Sequence, residues 1–311
     1  MTISSSQLRR DFTQLAIRSA IAATARLPIE HQRRTVRSLI AFAGEIPALR
    51  RKVRRNMSMA LGADVPPHAE RLYFSRVGWF LANALAVFHH GAKASAVFDE
   101  IKLDESIGVL DAAVAEGRGA VIVSPHWCGH ELVAAKVNRR HPMALLVRRA
   151  SSTQGMARKL KWYGALGAEI VLRPNHASTV KDAAAYLSVL KRGKVVAITP
   201  DLLAEAPHWI ETRVFGRRAR LHGGAFALAI VARAPMILPQ FRWQPDSTLL
   251  VSCERAPEPP AGCDRTTANR VALENWLAWF EQKLRSNPEN WLFWLDKRWS
   301  NFLQAKSPGQ K

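Results

Sequence analysis

Short apolar runs rich in β-branched residues alternate with helical stretches between about residue 108 and residue 252, and no other feature constrains the fold as strongly. Six runs carry the pattern, at 120–123, 143–147, 169–172, 194–198, 236–238 and 249–251. Strands buried on both faces read as continuous apolar runs, and helices between successive strands favour parallel pairing. The sequence therefore predicts an α/β fold with a largely parallel central sheet flanked by helices.

The N-terminal third has a different pattern. Apolar side chains recur there at three- and four-residue spacing, with breaks near Pro28, Pro47 and Pro66. We expect one structural domain with two parts. Residues 1–105 are predicted to form a helical, membrane-associating region, and residues 106–311 an α/β core with Trp-rich C-terminal helices.

The charge and apolar pattern of the chain indicate which classes of partner to expect. The chain carries +20 overall, and residues 1–60 hold twelve Lys and Arg against three acidic residues, or +9. Basic helices with an apolar stripe suit an anionic membrane surface, although a core-facing stripe with a solvated basic face would give the same pattern. No run of about 18 apolar residues occurs, so no transmembrane helix is expected. No nucleic-acid reader motif is present, so nucleic acid is not an expected partner.

Polar residues follow four of the predicted strands, where parallel sheets bind ligands. These segments are Ser124-Pro125-His126, Arg148-Arg149, Arg173-Pro174-Asn175-His176 and Thr199-Pro200-Asp201. A histidine held by a carboxylate is the usual device for taking a proton from a hydroxyl. Five helical residues separate two side chains by about 140°, so His126 and Glu131 can meet only if His126 precedes the helix. Arg173 is predicted to contact a phosphate.

Two alternatives for this segment are weaker. His126 and His130 have the spacing of half a metal site, but Trp127 stands where the zinc-protease motif has its glutamate. Cys128 is a possible nucleophile, yet nothing marks it as more than a small buried residue. The three cysteines include no CxxC pair, so neither a zinc knuckle nor a disulfide framework is expected. We predict no metal and no cofactor.

His126-x-x-x-x-Glu131 after a hydrophobic strand resembles the signature of the lysophospholipid acyltransferase superfamily. Most of the chain is similar to the late lipid A acyltransferase branch of that superfamily, the lauroyl and myristoyl transferases. The similar segments are Arg54-Arg55-Asn56 opening an N-terminal helix, Val147-Arg148-Arg149, residues 191–196 leading into Thr199-Pro200-Asp201, and residues 287–299.

The resemblance implies transfer of a fatty acyl chain from a thioester, on acyl carrier protein or coenzyme A, to a hydroxyl of a lipid A precursor or related lipid. The protein would sit peripherally or monotopically on the cytoplasmic face of the bacterial inner membrane. His126 would be the general base and Glu131 its orienting partner. Arg149, with Arg148 beside it, would hold a phosphate or support the oxyanion, and Asp201 would contact substrate. The alternatives are other lipid or glycan acceptors, an inactive membrane scaffold and a basic nucleic-acid-binding protein.

Overall fold

The computed structural model describes residues 23–62, 65–150, 152–173, 180–204 and 209–305. Residues 1–22, with the first basic residues of the predicted membrane-associating region, lie outside these ranges. So do Asn175 and His176 of the polar segment that follows the third predicted strand. The mixed α/β class predicted from the sequence is confirmed.

Three α-helices and a 3₁₀ stretch at Gly91–Glu100 form most of the described part of the N-terminal region. The α-helices are α1 (Ile29–Glu45), α2 (Pro47–Leu61) and α3 (Ala69–His90). The breaks fall where the prolines predict them, with Pro28 before α1 and Pro47 opening α2. The expectation that Arg54 opens a helix is wrong, because Arg54 and Asn56 lie in the second half of α2. Asn56 is buried, and its side chain donates to the carbonyl of Trp294 at 2.7 Å, which fixes α2 to the C-terminal segment.

Seven strands form the central sheet in the order β1-β9-β8-β2-β5-β3-β4. They are β1 (Ile101–Leu103), β2 (Ala120–Val123), β3 (Met143–Arg148), β4 (Glu169–Arg173), β5 (Val195–Ile198), β8 (Met236–Trp243) and β9 (Leu249–Arg255). All six predicted strands are present. Every pairing in this sheet is parallel except β8 with β9, so the largely parallel sheet is confirmed.

Helices alternate with these strands. The connections are α4 (Gly108–Ala115), α5 (His130–Asn138), α6 (Thr153–Ala165), α7 (Val180–Lys191) and α8 (Gly224–Ala232). After β2 the chain forms β3 and β4 and then returns, so that β5 fills the space between β2 and β3. This return makes β5 a direct neighbour of β2.

Two features escaped the sequence analysis. Strand β1 is only three residues long, too short for its apolar pattern to stand out. The other is an antiparallel hairpin of β6 (Trp209–Val214) and β7 (Arg217–His222). Phe215 and Gly216 form its two-residue turn, both with positive φ, as hairpin turns of this length require. The charged, alternating sequence of this hairpin differs from the apolar runs of the central strands.

The C-terminal part comprises α9 (Arg265–Ser286), short 3₁₀ turns at Pro288–Asn290 and Leu292–Leu295, and α10 (Lys297–Gln304). Its five tryptophans are all buried: Trp276, Trp279, Trp291, Trp294 and Trp299. Across the described ranges, none of the helices combines the length and the apolarity that a membrane crossing requires.

Candidate active site

His126 and Asp201 meet beyond the carboxyl ends of two neighbouring strands. Val123 ends β2 and is paired with Ile198, which ends β5. His126 and Asp201 each lie three residues further on, so they leave the sheet side by side. The Nδ1 atom of His126 lies 2.6 Å from Oδ1 of Asp201, and the backbone N–H of His126 donates to Oδ2 at 2.9 Å.

Asp201 is enclosed by protein, with only 1% of its surface exposed. Trp291 donates its indole N–H to Oδ2 at 2.8 Å, and Trp299 donates to the backbone carbonyl at 3.1 Å. Burial opposes ionisation, but the adjacent His126 charge and the hydrogen bonds from His126 and Trp291 together hold the pKa of Asp201 below its usual value.

The tautomer of His126 follows from this environment. An ionised carboxylate only accepts hydrogen bonds, so Nδ1 of His126 carries the proton that it shares with Asp201. In the neutral imidazole, Nε2 then has the free lone pair. The His126 side chain is 18% exposed. This is the state that a general base requires.

The C-terminal segment holds the His126 loop in place. The backbone N–H of Leu292 donates to the carbonyl of His126 at 3.0 Å, and that of Cys128 donates to the carbonyl of Asn290 at 2.6 Å. The ring of Phe293 packs on the imidazole with 4.4 Å between centroids. Residues more than 160 positions away along the chain thus determine the position of the histidine.

The hydrogen bond expected between His126 and Glu131 is replaced by the one to Asp201. The Glu131 carboxylate accepts instead from the Tyr163 hydroxyl at 2.8 Å and from the Trp162 indole N–H at 3.0 Å. Glu131 lies in the first turn of α5, whereas both donors lie on α6. The carboxylate therefore joins these two helices, and the role of Glu131 in catalysis stays a prediction.

The two alternatives for this segment gain no support from the geometry. The ring of His130 lies 5.0 Å from that of His126, and its Nδ1 is 3.0 Å from the carbonyl of Trp127. Burial and the nearby His126 charge lower the pKa of His130. Cys128 is fully buried, and burial raises the pKa of its thiol. In the part of the chain that the structure describes, no group of three or more His, Cys, Asp or Glu side chains is placed to hold a metal ion.

The predicted arginines lie on a different part of the same edge. Arg148 and Arg149 are exposed at the end of β3, and the backbone of Arg148 is paired with that of Arg173 at the end of β4. Since β5 separates β2 from β3, two strand spacings, or about 10 Å, lie between the end of β3 and that of β2. Arg148 and Arg149 thus form a basic rim on the same edge of the sheet as His126.

An apolar cavity of about 90 Å³ runs along one face of the sheet beneath α5. Its floor includes Ile122 and Ser124 of the β2 segment and Leu145 and Val147 of β3. These residues are spaced by two, so they share one face of the sheet. Ser124 precedes His126 by two residues, whereas Met143 opens β3 at the opposite edge. Val147 and Met143 are four residues apart, a depth of roughly 13 Å at strand spacing.

Helix α5 covers this cavity. Val133, Ala134 and Val137 face it, and Glu131 and Tyr163 line the same space. The hydrogen bond between Glu131 and Tyr163 thus lies in the wall of the cavity, where it satisfies two polar groups in apolar surroundings. His130, whose ring lies 5.0 Å from that of His126, lines the same cavity.

Two contributions to the site were missed from the sequence. Asp201 was predicted to touch substrate, but it is buried behind His126. Trp291 was assigned no role in the site, yet its indole donates to the Asp201 carboxylate. Knowledge that β2 and β5 are neighbours would have revealed the contact of Asp201 with His126, because each of the two residues lies three positions past the end of its strand and those ends are paired. No local signal in the sequence reports that adjacency.

The family model described as bacterial lipid A biosynthesis acyltransferase matches residues 4–301. No individual curated protein matches the chain.

Proposed function

Because the chain belongs to the bacterial lipid A biosynthesis acyltransferase family, we propose that it transfers a fatty acyl chain from a thioester to a hydroxyl of a lipid A precursor or a related lipid, with His126 as the general base. The contact between His126 and Asp201 at 2.6 Å carries this proposal. In the neutral imidazole, this contact leaves the free lone pair on Nε2, where it could accept a proton.

The proposed reaction is a direct transfer. Nε2 of His126 accepts the proton of the acceptor hydroxyl while its oxygen attacks the thioester carbonyl carbon. The new C–O bond forms, the C–S bond breaks, and the imidazolium returns its proton to the departing thiolate. The products are an ester and a free thiol, and no acyl-enzyme is formed.

Asp201 is assigned the orienting role in place of Glu131. Its carboxylate holds Nδ1–H of His126 and stabilises the imidazolium that forms during proton transfer. Three donors support the carboxylate, since the backbone N–H of His126 and the Trp291 indole also reach it. Glu131 is proposed to shape the mouth of the cavity through Tyr163 and Trp162.

The cavity beneath α5 is proposed to take the acyl chain. Its walls are largely aliphatic, and burying a methylene contributes about 0.8 kcal/mol. Val137 and Met143 both lie toward the far end of the space. Side chains at these positions would set the longest chain that enters.

The basic rim is proposed to bind the phosphates of donor or acceptor. Arg148 and Arg149 are exposed, and acyl carrier proteins and lipid A head groups are both acidic. A guanidinium can hold a phosphate through two parallel hydrogen bonds. Arg173 ends the neighbouring strand β4 and is assigned to the same rim.

The N-terminal helices are proposed to associate with the cytoplasmic face of the inner membrane. Leu39 and Phe42 on α1 and Ile46 just past its end are exposed, Phe42 by 72%. Large apolar side chains exposed together beside basic residues suit a lipid interface. The acceptor lipid would then reach His126 from the membrane.

One experiment tests the chemistry. Purified protein is incubated with a panel of acyl-carrier-protein and coenzyme A thioesters and with lipid extract from the source bacterium, beside His126→Ala. Thiol release and lipid mass are followed by mass spectrometry. Acyl gain on a lipid that disappears in the variant supports the proposal and identifies donor and acceptor. No transfer from any donor, with firm binding to anionic vesicles, would favour a membrane scaffold instead.

A further inference from the structure

A second group of cations lines a cleft between α1, α3 and the turn that joins β8 to β9. The cleft has a volume of about 310 Å³, at the lower end of the range of roughly 300–1,000 Å³ typical of small-molecule sites. Three guanidinium and three hydroxyl side chains line it: Arg37, Arg71, Arg76, Ser38, Ser75 and Ser247. Within the described residues, Glu45 is the acidic member of the lining.

Arg76 packs on Trp243 and forms no ion pair with a carboxylate in the part of the chain that the structure describes. Its guanidinium carbon lies 4.5 Å from the ring centre of Trp243, and its Nε is buried with no hydrogen-bond partner among the described residues. Burial lowers the pKa of Arg76, although Glu289 acts against this from a distance. Arginine nevertheless stays protonated in proteins. Because this guanidinium lacks a carboxylate partner, an anion in the cleft would be favoured.

Arg37 and Arg71 also favour an anionic ligand in the cleft. Arg37 pairs through one terminal nitrogen with Glu100 at 3.1 Å, but its Nε is likewise buried without a hydrogen-bond partner among the described residues. Arg71 is exposed and lies 3.8 Å from Glu45, which is itself 60% exposed. Such a surface pair contributes little, so Arg71 is available to a stronger anion.

We propose that this cleft binds a phosphate group, with Arg76 and Arg37 as partly buried ligands and Arg71 as an exposed one. Three guanidinium groups together with hydroxyl donors suit a tetrahedral anion that carries up to two charges and presents several oxygens. Leu39 and Phe42, exposed on the helix that supplies Arg37, favour the headgroup of a phospholipid as the source of that phosphate. A soluble phosphate ester is the other source with this chemistry.

Binding can be tested without catalysis. Calorimetric titration with inorganic phosphate is run beside sedimentation with vesicles of phosphatidylcholine alone and of phosphatidylcholine containing phosphatidic acid. Arg76→Gln is expected to weaken binding of the preferred probe about tenfold, since a hydrogen bond to a charged group is typically worth about 1.5–3 kcal/mol. Arg71→Gln, which leaves the packing on Trp243 intact, should weaken it several-fold. The control is Arg270→Gln at an exposed position of α9.

The binding results distinguish a phospholipid headgroup from a soluble phosphate ester as the source of the phosphate. An Arg76-dependent gain on phosphatidic acid vesicles, with weak phosphate binding, identifies a lipid headgroup. Arg76-dependent phosphate binding without the vesicle gain identifies a soluble ester. If Arg71→Gln and a folded Arg76→Gln bind both probes as the wild type does, the site does not exist. His126→Ala should bind normally, which distinguishes this proposal from the proposed catalytic function.

Discussion

Asp201 accepts two hydrogen bonds from His126, one from the imidazole Nδ1 at 2.6 Å and one from the backbone N–H at 2.9 Å. Because both carboxylate oxygens are engaged by one residue, the ring and its backbone are oriented together. The Trp291 indole fixes the carboxylate from the other side. If this arrangement orients His126, activity should depend on both Asp201 and Trp291.

Asp201→Asn should lower kcat/KM for acyl transfer by about 10³-fold, because an asparagine cannot stabilise the imidazolium and its amide can favour the wrong tautomer. Glu131→Gln should cost less than Asp201→Asn, since Glu131 contacts Trp162 and Tyr163 instead of His126. Steady-state kinetics on the three proteins decides between the two carboxylates. A near-normal Asp201→Asn beside an inactive Glu131→Gln would restore Glu131 as the orienting partner.

Trp291→Phe should lower kcat/KM by about tenfold, because Asp201 loses a donor worth roughly 1.5 kcal/mol. Trp294→Phe is the matched control. That indole is equally buried but donates to the carbonyl of Pro288, away from Asp201. Both variants should lose similar stability in urea unfolding, while only the first loses this much activity. Equal activity losses would show that the effect is general packing.

Ala134→Phe should shift the preferred acyl chain to a shorter length, because the added ring fills part of a cavity of about 90 Å³ that α5 covers. Competition between thioesters of different lengths, read by mass spectrometry of the product lipid, measures the shift. Ala261→Phe introduces the same side chain at an exposed loop position and should leave the preference unchanged. An unchanged preference in Ala134→Phe would place the acyl chain elsewhere.

Asp111→Asn should remove a pH-dependent contribution to the free energy of unfolding. The hydrogen bonds from Arg140 and His141 lower the pKa of Asp111 to about 2. Since the folded value lies below the unfolded one, the carboxylate stabilises the fold above about pH 4, and this contribution is lost as the pH falls toward 2. With solvent screening we expect about 1 kcal/mol at pH 7. Urea unfolding of both proteins at pH 7 and pH 3 measures it, and a difference that grows on acidification would contradict the sign.

Phe42→Ser should weaken binding to anionic vesicles by about tenfold, because burying a phenylalanine side chain in an apolar medium contributes roughly 1.5–3 kcal/mol. Phe42 is 72% exposed on α1. Val231→Ser removes an apolar side chain that is 47% exposed on α8, outside the N-terminal helices. Vesicle sedimentation of both variants compares the two surfaces. Equal losses would argue against α1 as the membrane-binding element.

Local sequence determined the secondary-structure elements and the candidate base. The central strands are apolar on both faces, so their runs are visible without knowledge of the fold, and Pro28 and Pro47 mark helix starts. The position of His126 directly after such a run indicated its place at the carboxyl edge of the sheet. The hairpin of β6 and β7 was missed because only one of its faces is buried and its sequence is highly charged.

The partner of His126 was decided only by the tertiary structure. Glu131 is five residues away along the chain, but α5 directs its carboxylate toward Tyr163 on α6. Asp201 is 75 residues away and becomes a neighbour because β5 inserts beside β2 and aligns Ile198 with Val123. Strand order depends on how helices and strands pack into layers, which is a property of the whole chain. The position after a strand therefore indicated the candidate base, whereas the carboxylate beside it was set by the order of the strands.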